Sequence, residues 1–352
     1  MKHTLKLAAS SLAIAVALAL AGCGEEKKEE QASTESTAPA ATETAPAATE
    51  TQPATTQQAS TTPASTEPEA CKTVRIADVG WSDNTAQNGL FKTVLKGLGY
   101  SVNDQLLQLP VIMEGLKNKD LDIFLDNWMP SNAANVQPYL DAKTLEMLEP
   151  NLEGAGYGPV VPDYVAAAGV KDVKDLAANG DKFEKKFYGI EPGNDGNKIV
   201  QAKIDDPANG LQGWTLVESS EQGMLAQAQK SMKDQQWIAF LGWAPHPVMG
   251  KMKLVYLTGF EKDGFGDAKI RTLTRVGYTT ECANVGKLLT NLKFDLPMES
   301  AIMEQIDAKV EGEKASSDWL KANPGVLDSW LAGVKTVDGQ DGLPAVKKSL
   351  GL

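Results

Sequence analysis

From Thr73 onward the chain alternates between two patterns of apolar and polar residues. Short runs such as VRIADVG, SVNDQLLQL, LDIFLDNW and WIAFLGW are rich in aliphatic and aromatic residues and predict β-strands. Longer stretches between them carry apolar residues at helical spacing, as at Leu90, Phe91, Val94 and Leu95. This alternation predicts an α/β fold with largely parallel sheets covered by helices.

The same alternation continues towards the C-terminus. KFYGIEPG and TLVES predict two more strands, and AAGVKDVKDLAANGDKFEKK, DGNKIVQAKIDD and SEQGMLAQAQKSMKDQQ predict helices, with mostly helical chain from Asn284. The folded part is longer than one hydrophobic core usually accommodates, so we expect two lobes. No low-complexity segment divides it, so we expect the chain to cross between lobes through short structured segments.

The N-terminus has a different pattern. Lys2 and Lys6 precede an apolar run from Leu7 to Ala21, which is too short to span a bilayer comfortably and has the order of an export signal. The sequence LAGC ending at Cys23 resembles the bacterial lipoprotein box, in which the cysteine carries the lipid. We therefore predict a signal peptide over residues 1–22 and a lipid anchor at Cys23 on the periplasmic face of the cell envelope. The alternative is an ordinary secretory signal with an incidental cysteine.

A low-complexity segment follows the predicted anchor. From Gly24 to Ala70 there is no Leu, Ile, Val, Met or aromatic residue. Such a segment cannot bury enough apolar surface to offset the entropy lost on ordering it. We therefore predict a disordered tether over residues 23–70, which keeps the folded domain attached to the membrane.

Charge and cysteine content narrow the function further. The formal net charge is −12 at pH 7, and loss of the two signal lysines makes the mature chain more negative. This balance disfavours nucleic acid and bare anionic membrane as partners. The mature chain keeps Cys71 and Cys282 besides the predicted anchor, and in an exported protein such an even pair favours a disulfide over a metal site.

Sequence motifs for enzyme chemistry are scarce. Outside the signal peptide His246 is the one histidine, and no G-x-S-x-G elbow accompanies it. The sequence also lacks H-E-x-x-H and C-x-x-C zinc motifs and a G-x-x-x-x-G-K-[ST] loop. Between two prolines, His246 is expected to pack or to hydrogen-bond. We predict no enzymatic activity and no cofactor.

Three of the seven tryptophans stand at the ends of predicted strands. They are Trp81 after VRIADVG, Trp128 after LDIFLDN and Trp243 after IAFLG. Strand ends at a shared sheet edge converge, so we expect these rings to face one crevice; the alternative is that each packs under a helix. Electron-rich ring faces around a cavity suit a quaternary ammonium, which is held by cation–π attraction and methyl contacts. Asp83 would offset the charge of such a ligand and accept a hydrogen bond from a hydroxyl.

The chain from about Val74 to Asp341 resembles the substrate-binding proteins of ABC importers for choline and betaines, most of all the choline-binding members. The resemblance rests on VGWSDN, DIFLDNWMPS, GAGYGPVVPDY, GIEPGNDGN, IAFLGWAPHPVM and GYTTECANVGKLLTNLKFDLPMES. It implies a two-lobed type II periplasmic-binding fold whose lobes close on the ligand about a hinge. Lobe 1 would comprise residues 71–153 and 259–352, and lobe 2 residues 154–258.

The resemblance also implies the site residues. Carried over, the aromatic box would comprise Trp81, Trp128, Tyr157 and Trp243. Asp83 would balance the ammonium, and Asn194 would hydrogen-bond the polar end of the ligand. Taken alone, Tyr157 fits a packed loop ring and Asn194 fits a helix cap. The implied partners are a small quaternary ammonium and an inner-membrane ABC permease, and we expect a monomer.

Choline fits this site better than a betaine does. Asp83 would repel the carboxylate of a betaine, and no pocket motif contains an arginine to receive it. Backbone amides at the helix start after Gly193 could still bind a carboxylate, so glycine betaine and carnitine remain alternative ligands. Two other classes of protein also stay open: an envelope esterase that uses His246 on choline esters, and a lipoprotein that senses the ligand and docks on a receptor.

Overall fold

The computed structural model describes residues 67–352. The predicted signal peptide, Cys23 and most of the predicted tether lie outside the described residues. The end of the predicted tether, however, belongs to the folded part. A 3-10 helix spans Glu69–Cys71, and the buried carboxylate of Glu67 accepts a hydrogen bond from the backbone N–H of Val285 at 3.1 Å. The folded body therefore begins a few residues before the boundary predicted from composition.

Residues 67–352 form one mixed sheet of nine strands, in the order β2-β1-β3-β9-β4-β7-β5-β6, with β8 paired to β4. The strands are β1 (Thr73–Asp78), β2 (Ser101–Leu106), β3 (Ile123–Met129), β4 (Leu145–Pro162), β5 (Lys186–Tyr188), β6 (Thr215–Val217), β7 (Phe240–Ala244), β8 (Leu254–Tyr256) and β9 (Gly266–Arg275). Strand β1 pairs in parallel with β2 and β3, and β5 pairs in parallel with β6 and β7. These two parallel halves are joined by β4 and β9.

The prediction of largely parallel sheets is wrong for the centre of this sheet. Strands β4 and β9 run antiparallel to each other and to their neighbours β7 and β3. Sequence patterning missed β4 because its sequence contains prolines, glycines and charges that an uninterrupted strand does not tolerate. The ladder accommodates them through register shifts, one of which lies between Leu152 and Ala155.

Fourteen α-helices in the described part of the chain cover the sheet. They are α1 (Ser82–Gly97), α2 (Leu109–Lys117), α3 (Ala133–Asp141), α4 (Asp163–Ala167), α5 (Val173–Ala178), α6 (Asp195–Asp205), α7 (Glu221–Lys233), α8 (Val248–Lys251), α9 (Tyr278–Glu281), α10 (Ala283–Asn291), α11 (Leu296–Asp307), α12 (Gly312–Ala322), α13 (Val326–Trp330) and α14 (Gly342–Leu350). The predicted inner face of α1, Leu90, Phe91, Val94 and Leu95, is fully buried. Within residues 67–352, no helix has the length and apolar character needed to cross a membrane.

The single helix predicted over AAGVKDVKDLAANGDKFEKK is wrong. This stretch instead contains the short helix α5 and a 3-10 helix at Gly180–Phe183. Asp172 caps α5 through a capping box, which starts a new helix inside the predicted one. The left-handed backbone of Glu184 (φ 53°) then ends the 3-10 helix. Polar residues that cap helices therefore divide a segment whose apolar spacing alone indicated one helix.

A disulfide fixes the start of the folded chain to its C-terminal part. Cys71, just before β1, is bonded to Cys282 between α9 and α10, with 5.5 Å between their Cα atoms. The two cysteines are 211 residues apart in the sequence. In the chain-entropy account, a bond that closes so long a loop restricts the unfolded chain strongly and stabilises the folded one.

Candidate functional site

The six residues singled out as ligand-binding in the sequence lie around one small, tightly closed cavity. The cavity is lined by Trp81, Asp83, Trp128, Tyr157, Ile190, Asn194, Asp195 and Trp243. Each of these residues is at most 6 % exposed, so the surrounding elements close over the cavity. Sequence analysis missed Ile190 and Asp195, which flank the predicted Asn194.

Both parallel halves of the sheet contribute rings to the cavity. Trp81 lies between β1 and α1, and Trp128 lies near the end of β3. Trp243 comes from β7 in the other half and pairs with Tyr157 of β4. Tyr157 is therefore a strand residue and not a loop residue. Trp128 and Trp243 each stand two residues before a proline whose peptide bond is cis.

The rings meet at steep angles. The Trp128 and Tyr157 centroids are 5.6 Å apart with 59° between their planes, and those of Tyr157 and Trp243 are 6.3 Å apart at 84°. Phe265 packs edge-on against Tyr157, with 5.0 Å between centroids. Such tilted and edge-to-face contacts are favourable pairings for aromatic rings. They also give a common cavity several ring surfaces of different orientation, as a compact cation requires.

The turn before α6 positions Asn194. Gly193 has a left-handed backbone (φ 88°), which glycine adopts without strain. Asn194 then caps α6, with its Oδ1 accepting from the backbone N–H of Asn197 at 3.1 Å. The same oxygen accepts from the hydroxyl of Tyr157 at 3.2 Å. A Cβ on Gly196 would come within 2.1 Å of that hydroxyl, so this contact requires glycine there. Asn194 is thus both a helix cap and a lining residue.

Asp83 is a fully buried carboxylate in the first turn of α1. Within residues 67–352 neither of its oxygens accepts a well-formed hydrogen bond. Burial, followed by the negative charge of Glu221, raises the pKa of Asp83 to about 7. A buried charge without a partner costs free energy, which a proton or an opposite charge removes. This position is therefore suited to a cation held in the cavity.

Other acidic groups surround the cavity. Burial raises the pKa of Asp195, whose Oδ1 accepts from the side-chain amide of Asn194 at 3.0 Å. Burial also raises the pKa of Glu191 to about 7, and Glu191 Oε2 accepts from the indole N–H of Trp81 at 3.0 Å. Neither a lysine nor an arginine is among the residues that line the cavity. The arrangement suits a ligand with a net positive charge and offers no cationic side chain to a carboxylate, although the indole N–H of Trp243 is a buried donor without an acceptor among residues 67–352.

His246 is held by hydrogen bonds at both ring nitrogens. Its Nδ1 accepts from the backbone N–H of Val248 at 3.2 Å, so the ring proton lies on Nε2. That nitrogen donates to Glu221 Oε1 at 3.1 Å. The ring is buried and packs edge-on against Trp243, with 5.2 Å between centroids. Because neither nitrogen is free to take a proton from a substrate, His246 has the packing role expected from its sequence context.

Within residues 67–352, one group of side chains has the spacing of metal ligands. It comprises Glu67, Cys71 and Cys282. The two cysteines are bonded to each other and have no thiolate to offer. Glu67 is already engaged by the backbone at the start of α10. This group is therefore a structural junction.

Comparison with known proteins gives the site a context. A family described as the substrate-binding domain of ABC-type glycine betaine transport systems matches residues 72–322. A solved structure described as an ABC-transporter choline-binding protein in complex with choline is 47% identical. It covers 81% of this chain and 100% of that chain, with a TM-score of 0.79. This likeness confirms the two-lobed α/β periplasmic-binding-protein fold that the motifs implied.

Two further relatives bind, by their descriptions, betaines. The lactococcal OpuAC structure, closed on glycine betaine, is 26% identical over 73% of this chain and 98% of that chain, with a TM-score of 0.67. The glycine betaine/carnitine transport binding protein GbuC of Listeria monocytogenes serotype 1/2a is 31% identical over 169 residues. That alignment covers 48% of this chain and 55% of GbuC.

Proposed function

The chain belongs to the family of substrate-binding domains of ABC-type glycine betaine transport systems, and we propose that its own ligand is choline. Proteins of this family serve transport and not catalysis, and they work with an ABC transporter outside the cytoplasm. In our proposal the protein captures choline between its two lobes and delivers it to an inner-membrane permease. It has no catalytic residue and no cofactor, and it acts as a monomer.

One observation carries this proposal: four aromatic rings line the same cavity as a buried carboxylate that accepts no well-formed hydrogen bond from residues 67–352. A quaternary ammonium donates no conventional hydrogen bond, so it must be held by ring faces, apolar contacts and an opposite charge. Each ring contributes about 0.5–2 kcal/mol to such a cation, with the larger values in desolvated sites. Asp83 supplies the charge, and its oxygens can accept from the ligand's hydroxyl.

Lobe closure is the mechanical part of the proposal. Trp81, Asp83 and Trp128 hold the ligand in lobe 1, and Tyr157, Asn194 and Trp243 of lobe 2 close over it. Closure excludes water and so strengthens each electrostatic contact. We place the crossing between lobes at residues 153/154 and 258/259. The first lies in the irregular part of β4 between Leu152 and Ala155, and the second adjoins Gly259, which has a positive φ of 91°.

A betaine is the alternative ligand. Glycine betaine or carnitine carries a carboxylate, and the charged side chains lining the cavity are Asp83 and Asp195. Like charges at such short range are repulsive, and buried sites amplify the effect. The donors left for a carboxylate are the indole N–H of Trp243, which has no acceptor among residues 67–352, and backbone N–H groups at the start of α6. The similarity to a choline-binding protein at 47% identity, against 26% for the glycine betaine complex, also favours choline.

The membrane anchor is a separate part of the proposal and rests on the sequence alone. Cys23 would carry the lipid after removal of residues 1–22, and residues 24–66 would tether the folded domain to the membrane. Metabolic labelling with a radioactive fatty acid tests this directly. We expect label in the wild-type protein and none in C23A; label retained in C23A would contradict the anchor.

The transport role is tested by uptake. We expect a strain that lacks this protein to lose high-affinity uptake of radiolabelled choline, and the wild-type gene to restore it. Normal choline uptake in the deletion strain, with loss of a choline-dependent response, would instead indicate a sensory protein. Hydrolysis of choline esters by the purified protein would indicate the esterase class, which the two engaged nitrogens of His246 disfavour.

A further inference from the structure

Glu221 connects the two halves of the protein next to the ligand cavity. It is the first residue of α7, in the half that contains β5, β6 and β7. Its Oε2 accepts a hydrogen bond from the backbone N–H of Ser82 at 2.9 Å. Ser82 is the first residue of α1, in the opposite half, and its N–H is one of those that a helix leaves unpaired at its N-terminus. The carboxylate of one half therefore caps a helix of the other half.

His246 sets the orientation of this carboxylate. Because the backbone N–H of Val248 occupies Nδ1, the imidazole must present its proton from Nε2 to Glu221 Oε1. The two oxygens of Glu221 are thus divided between a partner in its own half and a partner in the other. Both side chains are buried, so these hydrogen bonds are shielded from water. His246 also packs against the box residue Trp243, which links the same contact to the cavity wall.

Helix α1, which Glu221 caps, also contains Asp83, the carboxylate proposed to balance the charge of the ligand. Ser82 directly precedes Asp83, so closing the Glu221 contact brings a second negative charge close to the Asp83 carboxylate. The ionisable groups that interact with Asp83 are Glu221 from α7, His246 after β7, Asp126 from β3, Glu299 from α11 and Tyr157 from β4. Of these, Glu221 has the largest effect on the pKa of Asp83 and raises it. Closure without a cation is therefore opposed by repulsion between two buried carboxylates.

We propose that Glu221, oriented by His246, is a latch that makes lobe closure depend on a positively charged ligand. When the lobes close, its carboxylate caps α1 and holds the ligand in. In the absence of a cation, the same carboxylate repels Asp83 and favours reopening. This proposal depends on the proposed function in one respect: the ligand must be a cation. Neither residue lines the cavity, so both are positioning residues.

Two variants separate the contact from the charge. E221Q removes the charge and, because an amide cannot accept from both Ser82 and His246, also loses a hydrogen bond. E221D keeps the charge, but its shorter side chain cannot reach both partners. The matched control is Q222A, since the exposed Gln222 reaches across the same boundary to the carbonyl of Gly80 through a long contact of 3.4 Å.

Dissociation rates test the contact. In stopped-flow tryptophan fluorescence of the full-length protein with choline, we expect E221Q and E221D to release ligand about tenfold faster than wild type, as for loss of a hydrogen bond to a charged group. Association rates should change little, because encounter precedes closure. Q222A should stay within about twofold of wild type in both rates. Unchanged dissociation in E221Q and E221D, or an equal effect in Q222A, would overturn the latch.

The pH profile of affinity tests the charge. A cationic ligand favours ionised Asp83, so affinity is present above the pKa of Asp83 and falls as the pH decreases through it. Removing the Glu221 charge lowers that pKa, so we expect the midpoint of the affinity loss to move to lower pH in E221Q and to stay near the wild-type value in E221D. Equal shifts in the two variants, or no shift in E221Q, would contradict the coupling.

Distances measured in the ligand-free protein test the latch even if the ligand is not choline. If wild type binds no quaternary ammonium, the proposed function fails, and distances between spin labels at the exposed Asn118 and Gln229 still report closure. We then expect D83N to shift the ligand-free population towards the short, closed distance, because the repulsion is gone. We expect D83N combined with E221D to lose that shift, because the cap is gone. Distances that are the same in wild type, D83N and the double variant would refute the latch.

Discussion

Trp81 donates its indole proton to Glu191, with 3.0 Å between Nε1 and Oε2. This hydrogen bond joins the Trp81 ring to the segment between β5 and α6, in the other half of the sheet. The ring therefore does more than present a face to the cavity, because its orientation is fixed by a contact that exists when the two halves meet. Trp81 therefore takes part both in the contact between the two halves and in the lining of the cavity.

The first prediction concerns this hydrogen bond. W81F keeps an aromatic ring in the box but has no N–H to donate to Glu191. We expect choline affinity to fall about tenfold, because a buried hydrogen bond to an acidic group is lost. Titration calorimetry measures the change. The matched control is W319F, since Trp319 lies in α12 away from the cavity and should bind choline as wild type does. Wild-type affinity in W81F would show that the bond to Glu191 is irrelevant to binding.

The second prediction concerns the charge of Asp83. D83N is nearly isosteric and removes the negative charge, leaving the cation without its partner. We expect choline affinity to fall about a hundredfold, as for truncation of one member of a buried charge pair. The preference for choline over glycine betaine should also shrink, because the repulsion of a carboxylate is relieved. Competition binding measures both effects. D181N, at a fully exposed aspartate, is the control and should change neither.

The third prediction separates the ring of Tyr157 from its hydroxyl. Y157F keeps the ring surface but loses the hydrogen bond to Asn194 Oδ1. We expect a loss of about 1 kcal/mol in choline binding for Y157F and a markedly larger loss for Y157L, which removes the aromatic face. Equal losses in the two variants would mean that the phenol hydroxyl, and not the ring, carries the contribution of Tyr157.

The fourth prediction concerns stability away from the site. Asp122 is buried, and its oxygens accept from Arg75 Nη2 at 2.7 Å and from Arg275 Nε at 2.7 Å. Burial opposes ionisation, but the hydrogen bonds from the two arginines together hold the pKa of Asp122 below its ordinary value. We expect D122N to lower the free energy of unfolding at pH 7 by about 3 kcal/mol, because Arg75 loses its ion-pair partner and Arg275 keeps only Glu281.

The pH dependence of that effect has a definite sign. A carboxyl whose pKa is lower in the folded than in the unfolded protein contributes stability that is present above the unfolded pKa of about 3.9. This contribution is lost as the pH falls through the folded value. The difference between wild type and D122N should therefore shrink as urea titrations move from pH 7 towards pH 3. A constant difference over that range would rule out the ion pairs as its origin.

The sequence predicted the α/β periplasmic-binding-protein fold, and it singled out residues that the structure places around one cavity. Trp81, Trp128 and Trp243 follow regular apolar runs, and the motifs around Tyr157 and Asn194 are long enough to resemble a family. Ile190 and Asp195 carry no such signal, because an aliphatic residue after a strand and an acid at a helix start are ordinary. The long strands β4 and β9 were missed because their pairing is between distant parts of the chain and is interrupted by irregular register.

Titration calorimetry with choline and glycine betaine at pH 8 tests the central claim most directly, because Asp83 is then mostly ionised. We predict choline binding in the micromolar range or tighter, and glycine betaine binding at least tenfold weaker. Tight binding of glycine betaine, with choline failing to bind below millimolar concentration, would contradict the assignment.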